Sequence, residues 1–404
     1  MTLMHLLQQQ AAQQPDKLVY HYLTASGDIE ASLSYQQLDH DCRLLAQGLR
    51  QQMAVGERCL LLFPQGLDFI RAFWACLYAG VVPLPVYPPT QSQQSERLAA
   101  IVADANASAA LTNQNFYAKC QQWLGDQQHS DGPTLLTLEQ LIAANLPAEA
   151  AWLSSSWQAN GLAFIQYTSG STGTPKGVAV SRGALCHYAM SAAHYYKVSV
   201  ADHALQFASV SFDTAIEEIY PTLFSQATLV IRDDNVLGSA ANFNQFLQQQ
   251  NISVLNLPTA YWIHLVSMLG DEQVKLSPQI RSVIIGGEEA LPGVLQKWQQ
   301  YCQQYQLNPA LYNTYGPTEA TVISSRTELS QHMAGNAALP IGRAIDNSAL
   351  YIVNEHLQLL SPGCVGEIAI SGPGLALGYL NHPALTAEKF VQLPQVGRAY
   401  LSGD

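Results

Sequence analysis

Short apolar runs alternate with stretches of helical periodicity over most of this chain, and that alternation limits the fold more than any other feature. It predicts helices over 35–52, 67–79 and 95–106 and strands over 59–63 and 109–112, with the corner "GVVPLPVYPP" between the second and third helices. The same style resumes with strands over 205–208, 228–231, 253–257, 282–285 and 310–315 and helices over 214–224, 242–250 and 292–305. Strands separated by helices specify layered sheets with helices on their faces. Beyond about residue 340, short strands such as "ALYIVN" and "GEIAIS" alternate with Gly and Pro turns. The expected fold class is α/β, with two doubly wound sheets, helices on their faces and a smaller β-rich subdomain. Its expected divisions are 1–200, 201–335 and 336–404, and 404 residues suffice for several cores. Residues 113–160, rich in Gln, Ser and Ala, read as a variable connection.

The net charge of −12 supplies no basic stripe, which argues against nucleic acid and anionic membrane as partners. Any phosphate must therefore be held locally. Charged residues are 12% of the chain, against about a quarter in typical domains. Glutamine takes their place in runs such as Gln8-Gln9-Gln10 and Gln248-Gln249-Gln250, which read as solvated helix faces. Seven scattered cysteines without a Cys-x-x-Cys pair lead to the expectation of reduced thiols, no structural zinc and a cytoplasmic location. The start, "MTLMHLLQQQAAQQPDK", has no basic region and no long apolar run, so it reads as an amphipathic helix rather than a signal peptide. No run approaches the length of a membrane span.

The stretch Tyr167 to Ser181, "YTSGSTGTPKGVAVS", interrupts two apolar strand-like segments. Its glycines let backbone N–H groups turn toward an anion, Ser169, Ser171, Thr172 and Thr174 add donors, and Lys176 adds a compact positive charge. These are the needs of a polyphosphate. The spacing is not the Walker pattern, since no Gly-Lys-Ser/Thr opens a helix there.

Four further segments accompany that loop: "SVSFDTAIEEIYPTL" at 209–223, "YNTYGPTEATV" at 312–322, "GPGLALGYLNHPALTAEKF" at 372–390 and "YLSGD" at 400–404. In this order they resemble the motifs of adenylate-forming enzymes, and the chain looks most like an adenylation domain of nonribosomal peptide synthetases. The resemblance implies a reaction in two steps. A carboxylate attacks the α-phosphate of Mg·ATP to give an acyl-adenylate and pyrophosphate, and the phosphopantetheine thiol of a carrier protein then takes the acyl group. The cofactors implied are ATP and Mg²⁺.

By position, Thr168, Ser169, Gly170, Ser171, Thr172, Gly173 and Lys176 would hold the β- and γ-phosphates. Asn313 can read the adenine edge, Tyr315 can stack on the ring, and the Thr318 hydroxyl can meet the α-phosphate. The Glu319 carboxylate can hold Mg²⁺, so Lys176, Thr318 and Glu319 form the expected catalytic set. Gly287, Glu288 and Gly316 complete the nucleotide set, with backbone at 286–287 lying flat against adenine, and Asp404 matches the ribose-binding aspartate. The family continues into a small mobile C-terminal domain carrying a lysine for the transition state. The 404 residues are therefore expected to be the large N-terminal core of a longer enzyme, able to bind substrates but poor in turnover.

Asp213 matches the family's aspartate for the substrate's α-ammonium group, which favours an amino acid over a fatty or aryl acid. Transferred residue by residue, the pocket is Asp213, Thr214, Glu217, Asn256, Ile284, Gly286, Thr314, Val322 and Ile323. Asp213 and Glu217, four apart on a helix, point the same way. One acid meets the α-ammonium and leaves the second for a side-chain cation, while Gly286 keeps the pocket deep and Ile284, Val322 and Ile323 line an aliphatic stem. Lysine or ornithine fits this set best, and a shorter diamino acid or a β-amino acid stays open. The bland readings are that Asp213 caps its helix and that Glu217 is solvated. The corner "AGVVPLPVYPP" resembles that of fatty acyl-AMP ligases, which makes fatty acyl activation the runner-up. A catalytically silent nucleotide-binding or docking module is the alternative from another class. His187 and His194, seven apart and so on one face of a helix, receive no catalytic role, because the nucleophile is already a carboxylate.

Overall fold

Ser34 opens the helix Tyr35–Gln52 by accepting the Gln37 backbone N–H at 3.2 Å, while the Gln37 side chain accepts the Ser34 N–H at 2.8 Å. That helix buries Leu38, Cys42, Leu45 and Leu49, a stripe at spacings of three and four, and packs against the helix Leu67–Ala79. Gly80, at φ +73°, ends the second helix in the left-handed conformation that suits glycine. The computed structural model describes residues 2–24, 27–89, 92–126, 132–143, 158–169, 174–232, 239–332 and 337–404.

Four sheets organise these residues. The largest has nine strands in the order Arg343–Ala344, Ser325–Glu328, Ala310–Tyr315, Ser282–Gly286, Val254–Pro258, His203–Gln206, Thr228–Ile231, Leu18–Leu23 and Ile29–Ser34. Pairing is parallel from Ala310–Tyr315 through Leu18–Leu23 and antiparallel at both margins. A parallel sheet joins Val82–Val86, Arg58–Leu62, Ala109–Thr112 and Thr134–Thr137. An antiparallel three-stranded sheet contains Leu162–Ser169, Pro175–Ser181 and Gly378–Tyr379. The β-rich subdomain is an antiparallel sheet of Ala349–Val353, Glu367–Ser371, Gly397–Leu401 and Phe390–Leu393.

The strand alternation of two divides side chains between cores. Leu229 and Ile231 enter the main core while Val230 faces another, built by Phe243, Trp262 and Trp298 from helices on the opposite side of the sheet. Likewise Cys59 and Leu61 enter the main core and Leu60 and Leu62 a third. The main core therefore lies between the two parallel sheets, filled by the helices Tyr35–Gln52, Leu67–Ala79, Arg182–Tyr195 and Thr214–Phe224. Phe73 marks its centre, with ring centroids 5.9 Å from Phe164 and 5.8 Å from Tyr220, and truncating such a residue costs about 3–5 kcal/mol. Among the described residues no helix is long and apolar enough to cross a membrane.

Several features differ from the sequence expectation. Within 113–160, read as a variable connection, Gln114–Asp126 and Leu138–Ala143 are helices and Thr134–Thr137 is a strand paired with Ala109–Thr112. The strand expected over 205–208 occupies His203–Gln206, because the buried Glu218 carboxylate takes the N–H groups of Phe207 and Ala208, each at 3.0 Å. The helix Thr259–Asp271 was not foreseen: no side chain caps it and it follows a strand without a polar break. The hairpin of Leu18–Leu23 and Ile29–Ser34 was not foreseen either, and it joins the nine-stranded sheet across the boundary drawn at residue 200.

Candidate active site

In the nine-stranded sheet the chain order reverses at His203–Gln206, with Thr228–Ile231 on one side and Val254–Pro258 on the other. A crevice at the carboxyl ends of parallel strands is expected at such a reversal. A cavity of about 430 Å³ opens there, against Phe207 to Ser209, Asn256 to Pro258, Gly286 to Glu288, Thr314 and Gly316. Asp213, Thr214 and Glu217 border it from the following helix, and Val322 and Ile323 close another wall. Eight of the nine expected substrate residues thus share one cavity. Ile284 does not border it; it is buried behind, beside a small separate void that Glu217 and Asn256 also touch.

Asp213 precedes the helix Thr214–Phe224 but makes no capping hydrogen bond; its Oδ2 accepts the Thr318 hydroxyl at 2.6 Å instead. Burial pushes its carboxyl up to about 6, a shift that Glu217 and Glu319 reinforce and the Thr318 hydroxyl opposes. Glu217 is 6% exposed, so it is not a solvated surface acid. Its Oε1 accepts the Tyr196 hydroxyl at 2.6 Å. Burial holds its carboxyl above the ordinary range, against the pull of donor groups on Tyr196, Asn256 and Tyr188. The described residues lining the cavity include the acids Asp213, Glu217 and Glu288 and no Lys, Arg or His.

Glu319, in the one-turn 3₁₀ helix Thr318–Ala320, is buried and accepts the Tyr379 hydroxyl at 2.6 Å, with the Tyr400 hydroxyl 3.3 Å beyond. Among the described residues there is no cluster of three metal-ligating side chains. A single carboxylate suits Mg²⁺ held jointly with phosphate oxygens, as that ion keeps most of its ligands from water and substrate. Nearby, the Tyr315 hydroxyl donates to Asp404 Oδ2 at 2.6 Å, across 89 positions of chain. Asn313 Nδ2 donates to the Pro340 carbonyl at 3.0 Å. Gly287 has φ +86° at the end of its strand, and Glu288 beside it is exposed.

Thr168 and Lys176 face each other in register at the end of the hairpin Leu162–Ser169 and Pro175–Ser181, with Ser169 opposite Pro175. Gly170, Ser171, Thr172 and Gly173 lie outside the described residues.

The segment 316–323 is held tightly. A Cβ at Gly316 would collide with the backbone of Ile323, and one at Gly286 with the Thr314 hydroxyl. Thr321 and Val322 have φ of +59° and +71°, a region that β-branched residues avoid. Thr321 Oγ1 donates to the Gly374 carbonyl at 2.6 Å, and the Ala376 N–H donates to the Glu319 carbonyl at 2.8 Å. Sequence reasoning had singled out neither this strain nor the tyrosines Tyr196, Tyr379 and Tyr400. Tyr379, in "GYL", and Tyr400, at the head of "YLSGD", lie inside motifs the sequence displays, whereas Tyr196 lies in none. Phe212, 58% exposed, and Ser209 also border a second cavity of about 390 Å³ lined by Pro85, Val86 and Tyr87 of the proline-rich corner.

Comparison with known proteins agrees with this architecture. The model of the AMP-binding enzyme family matches residues 7–380. The chain is 34% identical over 413 residues to the chondramide synthase of Chondromyces crocatus, aligning with 99% of this chain and 10% of that protein. It is 32% identical over 382 residues to the isonitrile lipopeptide synthase of Streptomyces coeruleorubidus, with 92% of this chain and 24% of that protein aligned. The chain therefore spans a small part of these relatives. The N-terminal subdomain of Klebsiella oxytoca NpsA, solved with 3-hydroxybenzoyl-AMSN, has the same fold, with a TM-score of 0.81 at 22% identity over 100% of this chain and 96% of that one. The artificially fused adenylation–PCP di-domain NpsA–ThdA of the same organism gives 0.83 at 21% identity, covering 100% of this chain and 76% of that one. The chain belongs to the AMP-binding enzyme family, within the adenylate-forming superfamily, and matches nonribosomal peptide synthetase adenylation domains in sequence and fold.

Proposed function

We propose that this chain binds ATP and an amino acid and activates the amino acid as an aminoacyl-adenylate, with a basic side chain of the lysine or ornithine type as its substrate class. The observation that carries this reading is the charge of the cavity: it is bordered by three acids and by no basic side chain among the described residues. Glu217 is buried and Asp213 partly so, while Glu288 is exposed at the rim; carboxylates withdrawn from water need a partner, so the ligand must bring the positive charge. An α-ammonium group at Asp213 and a side-chain ammonium at Glu217 supply two such partners. Val322 and Ile323 offer apolar walls to the stem between them.

The reaction proposed for this site has two steps. The substrate carboxylate attacks the α-phosphorus of ATP, the bond to the β-phosphate oxygen breaks, and pyrophosphate leaves. The chain's residues orient these partners: Tyr315 and Asn313 toward the base, Asp404 toward the ribose and Thr318 toward the α-phosphate. Lys176, with Thr168, Ser169, Gly170, Ser171, Thr172 and Gly173, holds the departing phosphates. Glu319 would hold Mg²⁺, which when bound neutralises phosphate charge. The acyl group then passes to the phosphopantetheine thiol of a carrier protein, a partner supported by the likeness to the NpsA–ThdA adenylation–PCP di-domain.

The test is the thermal stability of the chain with non-hydrolysable adenylate mimics carrying lysine, ornithine, leucine or a fatty acyl chain. A ligand at a hundred times its dissociation constant adds about 2.7 kcal/mol. The largest shift is expected for lysine or ornithine. A larger shift with the fatty acyl mimic would overturn the basic-substrate reading and favour fatty acyl activation, to which the apolar corner at 85–87 gives some structural support. No shift with any mimic would leave a silent module.

A further inference from the structure

A hydroxyl group has one proton to donate, and that of Thr318 is spent on Asp213 Oδ2 at 2.6 Å. Phosphate oxygens are acceptors, so Thr318 cannot donate to an α-phosphate while it donates to Asp213. Releasing that proton strips a partly buried carboxylate of its donor, at the cost of an unsatisfied polar group. An ammonium group arriving at Asp213 brings up to three donors and replaces the one that Thr318 withdraws.

We propose that Thr318 is a positioning residue that couples recognition of the substrate's α-amine to engagement of the nucleotide's α-phosphate, through exchange of its single proton between Asp213 and the phosphate. The proposal rests on the adenylation reading above and deepens it. Carboxylic acids without an α-amine are then disfavoured twice, by a lost contact at Asp213 and by a nucleotide whose α-phosphate lacks its donor. Coupling between two ligands is reciprocal, so the amine should tighten the nucleotide as much as the nucleotide tightens the amine. The geometry supports such a link, because one helix start and one strand end meet at this single bond. Asp213 lies immediately before Thr214–Phe224, and Thr318 follows Ala310–Tyr315.

The experiment is calorimetric titration of the whole chain with the Mg²⁺ complex of α,β-methylene-ATP, alone, with saturating lysine, and with saturating 6-aminohexanoate. The last has lysine's carboxylate and terminal ammonium but no α-amine. Lysine is expected to tighten the nucleotide about tenfold, within the usual range of coupling, and 6-aminohexanoate not at all. Thr318→Val should abolish the coupling and Thr318→Ser restore it, with unfolding of each unliganded variant confirming that it is folded. Equal tightening by lysine and 6-aminohexanoate, or full coupling in Thr318→Val, would overturn the proposal. Nucleotide binding without lysine binding sinks the basic-substrate reading along with it. No nucleotide binding in the unaltered chain sinks the adenylation reading as a whole.

Discussion

Glu217 is the residue on which the substrate class turns. Its carboxylate is buried, is contacted by the Tyr196 hydroxyl and borders the cavity without a basic neighbour among the lining residues. Glu217→Gln keeps the shape and removes the charge. Losing a charge-assisted hydrogen bond of about 1.5–3 kcal/mol should weaken the lysine-adenylate mimic roughly 10- to 100-fold, and calorimetry should find the leucine mimic nearly unaffected. Tyr196→Phe tests the same group through its proton. The folded-state pKa of Glu217 is raised by burial, and Tyr196 is the first of the donors that restrain the rise. Lysine binding requires the ionised form, so it is present above that pKa and lost as pH falls through it. Removing Tyr196's hydroxyl should move the loss to higher pH, readable as affinity against pH in the two proteins. The acids were legible in the sequence because they sit inside motifs. Their tyrosine partners were not: Tyr196 lies 21 positions from Glu217, and Tyr379 lies 60 from Glu319.

At the level of elements, the helix Thr214–Phe224 sets the site's position through an acid that faces no substrate. Glu218, adjacent to Glu217, accepts backbone N–H groups from Phe207 and Ala208 and so fixes the strand end that walls the cavity. Burial pushes its carboxyl up to about 8, with the two backbone donors opposing. An acid whose pKa is raised on folding costs stability once the unfolded chain has lost its proton. Stability should therefore fall as pH rises from the ordinary glutamate range toward about 8, by up to about 1.4 kcal/mol per pH unit from this one group. Glu218→Gln should flatten that slope in denaturant titrations between these limits. A slope unchanged by the substitution would place the titration elsewhere. Elements with a strong period were legible: helices 67–79, 214–224 and 292–305 and strands 109–112, 228–231 and 310–315 have the expected bounds. Elements without one were not. Leu18–Leu23 buries only half its residues, and its neighbour Ile29–Ser34 is mostly exposed along its first half. Their place in the sheet is set by Thr228–Ile231, some two hundred residues on.

At the scale of the whole molecule, one late segment joins parts of the site that the sequence separates. Residues 374–380 take the Thr321 hydroxyl on Gly374 and give the Ala376 N–H to Glu319. They place Tyr379 against the Glu319 carboxylate and pair Gly378 with Ala179 in the strand Pro175–Ser181. The Glu319 carboxylate and the hairpin that carries Lys176 are thus held by a single strap. Thr321→Val isolates one of its links. Both residues are β-branched, so the strain of φ +59° is retained while the buried hydroxyl, 2.6 Å from the Gly374 carbonyl, is lost. Leaving that carbonyl without its donor should cost about 1–3 kcal/mol, which in a chain of this size lowers the unfolding midpoint by roughly 1–4 °C. If the strap positions Glu319, the variant should also bind Mg·ATP more weakly while its affinity for the nucleotide without Mg²⁺ changes little. A loss of stability with both affinities unchanged would show that the Thr321–Gly374 link only braces the fold, and that Glu319 is positioned through Tyr379 and Tyr400 instead.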